Sequence, residues 1–136
     1  MWVSPSRYES LIKEHIASLA SGYIFCTLGP QDPFVVGSFG DLVEANGTAE
    51  CTATPDVWND RTAIWGYNGR KYEATGGGVS STPPTAPDGR GGVIKNYHDI
   101  GGVCQRGWRY HYQISASAFH GNWGDYSENS GTITLC

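Results

Sequence analysis

Residues 108–117 read Trp108-Arg109-Tyr110-His111-Tyr112-Gln113-Ile114-Ser115-Ala116-Ser117. Trp108, Tyr110, Tyr112, Ile114 and Ala116 alternate with Arg109, His111, Gln113, Ser115 and Ser117, a strict period of two. Successive side chains of a strand point to opposite faces, so the pattern predicts a strand with an apolar side on a core and a polar side away from it. A helix, with its 3.6-residue turn, would scatter the same apolar residues around its axis.

The chain on either side of this strand carries the same kind of signal. Arg61 to Tyr67 and Arg70 to Thr75 flank Asn68-Gly69, a pair that supplies the positive-φ positions of a two-residue type I′ turn and so predicts a hairpin. Tyr23 to Cys26 predicts a strand that stops before Gly29-Pro30. Phe34 to Glu44 predicts two short strands, or one bent at Gly37 and Gly40, and Thr48 to Thr54 alternates around Cys51. Phe119 to Tyr126 reads as an aromatic loop and Thr132 to Cys136 as a closing strand. Gly and Pro dominate residues 76–92, which predicts a long loop, either a functional one or a crossover between sheets. Short strands with turn signals and no strand–helix alternation predict an all-β fold, a sandwich or a barrel; an antiparallel β-sandwich over residues 22–136 is preferred because it tolerates the long crossover.

Composition agrees. A chain of 136 residues supports one domain. Its 19 Gly, five Trp and eight Tyr against only 16% charged residues fit a turn-rich, aromatic-packed β domain better than a helical bundle or a disordered chain. A net charge of −4 argues against a nucleic-acid partner, which needs a basic surface. No apolar run is long enough for a membrane span.

One helix is expected, ahead of the sandwich. Ser6 and Glu9 form a capping box after Pro5, and Gly22 suits the stop. Tyr8, Leu11, Ile12, Ile16 and Leu19 recur at helical spacing and make one apolar stripe. Residues 1–21 therefore read as an amphipathic arm, whose stripe either packs on its own sandwich or docks into the groove of a partner protein. A membrane-surface helix is disfavoured, because the polar side carries Glu9, Glu14 and the single Lys13.

Cys26, Cys51, Cys104 and Cys136 are even in number, widely spaced, and end with the last residue of the chain. They predict two disulfides and a secreted protein in an oxidising compartment. The start, Met1-Trp2-Val3-Ser4-Pro5-Ser6, lacks the pattern of a secretory signal, so a precursor carrying one is expected. Cys26–Cys51 with Cys104–Cys136 is the favoured pairing, since it closes two modest loops and ties down the last strand. Cys26–Cys104 with Cys51–Cys136 stays open.

His98 and His120, oriented by Asp99 or Asp125 and helped by Arg106 or Arg109 on a phosphate, have the residue types of a nuclease-type acid–base pair. No spacing ties them together, and ordinary surface histidines explain them more simply. Metal or cofactor binding is not expected, because HxH and HxxxH spacings are absent. Gly37-Ser38-Phe39-Gly40 lacks the spacing of a nucleophile elbow. Trp58-Asn59-Asp60, Tyr97-His98-Asp99 and Asn122-Trp123-Gly124-Asp125-Tyr126 set aromatics beside Asn or Asp, which suits stacking on a sugar and bonding its hydroxyls. Trp58, Trp123 and Tyr126 are the candidate glycan contacts, with plain turn composition as the simpler explanation. Asn46-Gly47-Thr48 is a glycosylation sequon, informative only in a host that uses it.

Cys104-x₃-Trp108-x-Tyr110, the closing Cys136 and the Gly/Thr/Pro-rich middle resemble small secreted two-disulfide β proteins of filamentous actinobacteria. The resemblance covers roughly Gly22 to Cys136. Some such proteins are structural subunits of secreted toxin particles, which implies a non-enzymatic adaptor that binds another secreted protein. The expectation is thus a protein-binding module using the amino-terminal stripe, with a glycan-binding module and a small nuclease-type toxin as alternatives.

Overall fold

The structure, a computed structural model, describes residues 24–37, 41–121 and 123–136. The expected helical arm and its stripe, Tyr8, Leu11, Ile12, Ile16 and Leu19, lie outside the described residues.

Ten strands follow in order: β1 (Cys26–Pro30), β2 (Phe34–Val36), β3 (Leu42–Cys51), β4 (Val57–Tyr67), β5 (Tyr72–Ser80), β6 (Ala86–Pro87), β7 (Val93–Val103), β8 (Arg109–Phe119), β9 (Trp123–Asn129) and β10 (Ile133–Thr134). They form two antiparallel sheets. The first runs β1-β3-β7-β6, with β2 also on β3, and the second runs β10-β8-β4-β5, with β9 also on β8. This is the antiparallel β-sandwich expected from the short strands, stapled by the two disulfides expected from the cysteines.

The apolar side of that alternation does face the core. Tyr110, Tyr112, Ile114, Ala116 and Ala118 of β8 are buried against Val43, Ala45 and Ala49 of β3 and Trp58 and Ile64 of β4. Trp108, just ahead of the strand, is half-buried at the margin of this cluster. Burial of such a set supplies most of the driving force for closing the two sheets.

The disulfides are Cys26–Cys51 and Cys104–Cys136. Cys26 and Cys51 are direct cross-strand partners between β1 and β3, with Cα atoms 4.1 Å apart. Cys104 and Cys136 link the end of β7 in the first sheet to the residues after β10 in the second, Cα to Cα 6.1 Å. The second staple therefore joins the two sheets.

Four local expectations are corrected. Strand β1 runs through Gly29 and Pro30 instead of stopping before them, which an edge strand permits because the missing proline N–H costs no ladder bond. The hairpin of β4 and β5 exists, but Tyr67 pairs with Tyr72 across a four-residue connection, Asn68 to Lys71. Among the described residues only glycines have positive φ, so Asn68 does not enter a type I′ turn. Its side-chain Oδ1 instead accepts from the N–H groups of Arg70, at 2.9 Å, and Lys71, at 3.1 Å.

Residues 76–80, expected as loop, continue β5. A Cβ on Gly76 would lie 2.5 Å from the Ile100 carbonyl oxygen, where β5 passes against β7. Gly77 has φ +137° and leaves no room beside the Thr62 carbonyl, next to the bulge between Ile64 and Trp65. These glycines serve close packing in a strand. The aromatic stretch after Phe119 is also a hairpin, with Phe119 opposite Trp123 and β9 running back along β8.

Candidate binding face

Alternation on β4 and β8 leaves a second side, the outward face of the second sheet. In cross-strand register, Asn59 lies opposite Ser117, Arg61 opposite Ser115, Ala63 opposite Gln113 and Trp65 opposite His111. Strand β9 extends the rows with Asp125 beside Ser117, Ser127 beside Ser115 and Asn129 beside Gln113. On the other flank β5 adds Val79 beside Arg61.

This face holds a groove of about 770 Å³, whose lining includes Asn59, Arg61, Trp65, Ser81, Gln113, Ser115, Ser117 and Asp125. A neighbouring hollow of about 490 Å³ shares Trp65 and Gln113 and adds Tyr72, His111, Asn129, Ser130 and Thr132. The lining is held by its own hydrogen bonds. Trp65 Nε1 donates to Gln113 Oε1 at 2.9 Å, and the Ser117 hydroxyl donates to Asp125 Oδ1 at 2.7 Å. The Ser115 and Ser127 hydroxyls are 3.1 Å apart, and the Ser81 hydroxyl donates to Asn59 at 3.0 Å. Ordered donors and acceptors of this kind lose little freedom when a ligand binds.

Each end of the face is aromatic. At one end Tyr67 and Tyr72 have ring centroids 4.9 Å apart, His111 meets Tyr72 edge-on at 5.2 Å, and Arg109 lies over Tyr67 at 5.4 Å. Desolvation lowers the His111 pKa, and its buried Nδ1 has no hydrogen-bond partner among the described residues. Both features favour a neutral ring. At the other end Phe119 and Trp123 lie 5.2 Å apart, and Trp123 is 58% exposed.

The sequence candidates fall in different places. Trp123 stands on this face, whereas Trp58 is 1% exposed in the core and offers no ring face to a ligand. Its Nε1 donates instead to Asp60 Oδ2 at 2.7 Å. Tyr126 borders the groove, half-buried with its ring against the core. His98 points outward from the first sheet, Nδ1 2.6 Å from Asn46 Oδ1 and Nε2 3.7 Å from Glu44. His120 follows the end of β8 in the second sheet, Nδ1 3.4 Å from Asp56. Asp99 accepts from the inward Tyr112 hydroxyl, and Asp125 is engaged by Ser117, so neither orients a histidine. The residues of the nuclease reading are thus not gathered into one site. Among the described residues, no group of three His, Cys, Asp or Glu is placed to hold a metal ion, and no helix is long and apolar enough to cross a membrane.

Sequence reasoning missed Trp65, Gln113 and the serine rows as members of one surface. The signal was present in the polar half of residues 109–117, but nothing in the chain announces that β4 and β9 lie on either side of that strand. It also missed a polar cluster between the sheets. The Asp60 carboxylate, 2% exposed, accepts from Trp58, from Lys95 Nζ at 2.6 Å and from the Tyr97 hydroxyl at 2.5 Å. Lys95 Nζ also donates to Ser80 Oγ and to the Thr82 carbonyl. Every strong donor here is engaged within the fold, which makes the cluster a fastening between sheets. Burial, followed by the bonds to Asp60 and Asp99, raises the pKa values of Tyr97 and Tyr112 far above the ordinary phenol range.

Compared with known protein families and with curated proteins, the chain matches none.

Proposed function

We propose that the protein is a secreted, non-enzymatic binding module whose ligand is a glycan, held on the outward face of the second sheet. The observation that carries this reading is the groove lined by Trp65, Gln113, Asn59, Ser115, Ser117 and Asp125. A sugar has apolar faces edged by hydroxyls. An aromatic ring covers the former, while amide, hydroxyl and carboxylate groups fixed in rows bond the latter. The face is open and its polar groups are already oriented by one another, which suits recognition without a chemical step. The two disulfides are consistent with an oxidising, extracellular setting.

The amino-terminal stripe, Tyr8, Leu11, Ile12, Ile16 and Leu19, supports a second reading. In it another secreted protein carries this module as an adaptor or structural subunit into an extracellular assembly, as the resemblance to toxin-particle subunits implies. Deleting residues 1–21 then abolishes recovery of that partner from culture fluid and leaves glycan binding intact. Recovery unchanged by the deletion refutes it.

The primary test is a glycan array probed with the whole protein and with Trp65→Ala. Binding to a subset of glycans, lost in the variant, is the expected result. An array with no bound glycan ends the reading.

A further inference from the structure

We propose that the ligand is an extended, linear glycan that lies along β4 and β8 and engages an aromatic cluster at each end of the face. This rests on the glycan reading above and adds the shape of the ligand to it. Cross-strand register places Trp65 beside His111 at one end, and Phe119 beside Trp123 at the other. His111 and Phe119 are eight positions apart on one continuous strand, a span of about 27 Å at the rise of an antiparallel strand. Only a chain of several sugar units reaches across that distance.

The intervening surface is mostly polar, and the groove runs as far as Ser117 and Asp125, the pair next to Phe119 and Trp123 on the same face. The groove and the neighbouring hollow share Trp65 and Gln113, so a ligand can pass between them without leaving the sheet. Tyr72 at one end is 52% exposed, and Trp123 at the other is 58% exposed. An exposed aromatic ring at each end of a polar track offers a stacking surface at both. A monosaccharide or disaccharide uses one cluster and leaves the other idle. A linear chain uses both, and the second contact tightens binding without a second cost of association.

The test is calorimetric titration of the whole protein with linear oligosaccharides, disaccharide to octasaccharide, made from β-1,4-linked glucose, N-acetylglucosamine, xylose or mannose according to the array result. Affinity should rise about tenfold or more along the series, the increment of one well-placed aromatic contact. Trp123→Ala should remove that rise, while Trp123→Phe keeps most of it. Equal affinity at all lengths, with binding still lost in Trp65→Ala, overturns the extended-ligand inference and keeps the glycan reading. Binding to no oligosaccharide and to no glycan on the array overturns both. The length series on the unmodified protein decides the matter even where a variant fails to fold.

Discussion

The Lys95 ammonium lies 2.6 Å from the Asp60 carboxylate, and that contact crosses from β7 of the first sheet to β4 of the second. The two side chains are 16% and 2% exposed. Charges so placed are tolerated only when their remaining hydrogen-bonding capacity is filled. Trp58 and Tyr97 fill it for Asp60, and Ser80 and Thr82 fill it for Lys95.

Removing one member should therefore cost more than the pair contributes. Lys95→Met leaves a buried carboxylate without its counter-charge, for a loss of about 3–5 kcal/mol. Lys95→Met combined with Asp60→Asn should cost clearly less than the two single changes added together, because no charge is then stranded. Urea unfolding of the four proteins checks this. Strict additivity would show that the contact does not couple the sheets.

Tyr97 of this cluster, and Tyr112, which feels the same Asp60 charge, tie stability to alkaline pH. Burial, followed by the hydrogen bonds to Asp60 and Asp99, holds Tyr97 and Tyr112 protonated far above pH 10. Unfolded tyrosines release their protons near pH 10. Above that value the unfolded chain binds fewer protons than the folded one, so stability falls as pH rises. Below it the contribution is fully present. The decline should be at most about 1.4 kcal/mol per pH unit for each tyrosine. Alkaline titration followed by tyrosinate absorbance should show at least two phenols, those of Tyr97 and Tyr112, that ionise only as the protein unfolds. Smooth ionisation of all eight tyrosines in the folded state would contradict the account.

His111 predicts the opposite edge. Its folded pKa is lowered by desolvation, so below about pH 6.5 the unfolded chain takes up a proton that the folded one resists. Its contribution to stability is present above that pH and is lost as pH falls toward the folded value. The His111 ring signal in an NMR titration should move with a midpoint below 6.5. His111→Gln should flatten the acid limb of the stability curve. A midpoint at or above 6.5 would mean that the ring has found an acceptor for its Nδ1 proton.

How much of this was legible from residues alone follows from period and partner. The alternation through Trp108–Ser117 is a local signal, and it carries the strand and its buried face, while the run of short strands with turn signals carries the all-β class. Cysteine count and spacing favoured the observed bridges for a similarly simple reason, that short loops close first. What failed was non-local. Gly76 and Gly77 look like loop residues until β7 and Thr62 are seen to approach them. Trp58 and Trp123 look alike beside Asn and Asp, yet the register of their strands turns one into the core and the other into solvent. The candidate binding face is the clearest case. Half of it was written in Arg109, His111, Gln113, Ser115 and Ser117, but the strands flanking them are brought in from more than forty residues upstream and from the hairpin beyond.

Gln113 offers the sharpest test of that face, since it touches Trp65 without belonging to the core. Its Oε1 accepts from the indole Nε1 at 2.9 Å, and the pair joins the groove to the hollow. Gln113 is a positioning residue in the proposed site: it fixes the plane of the Trp65 ring. Gln113→Ala removes the hydrogen bond to Trp65 and the longer one to Ser127 at a half-buried site, and the loss of the first costs about 0.5–1.5 kcal/mol of stability. It should weaken glycan binding about threefold to tenfold, because the ring must then be ordered on association. Gln113→Glu keeps an acceptor in the same place and should restore most of the affinity while Gln113→Leu does not. Equal affinity in all four proteins would show that Trp65 needs no such support, and would remove this residue from the binding face.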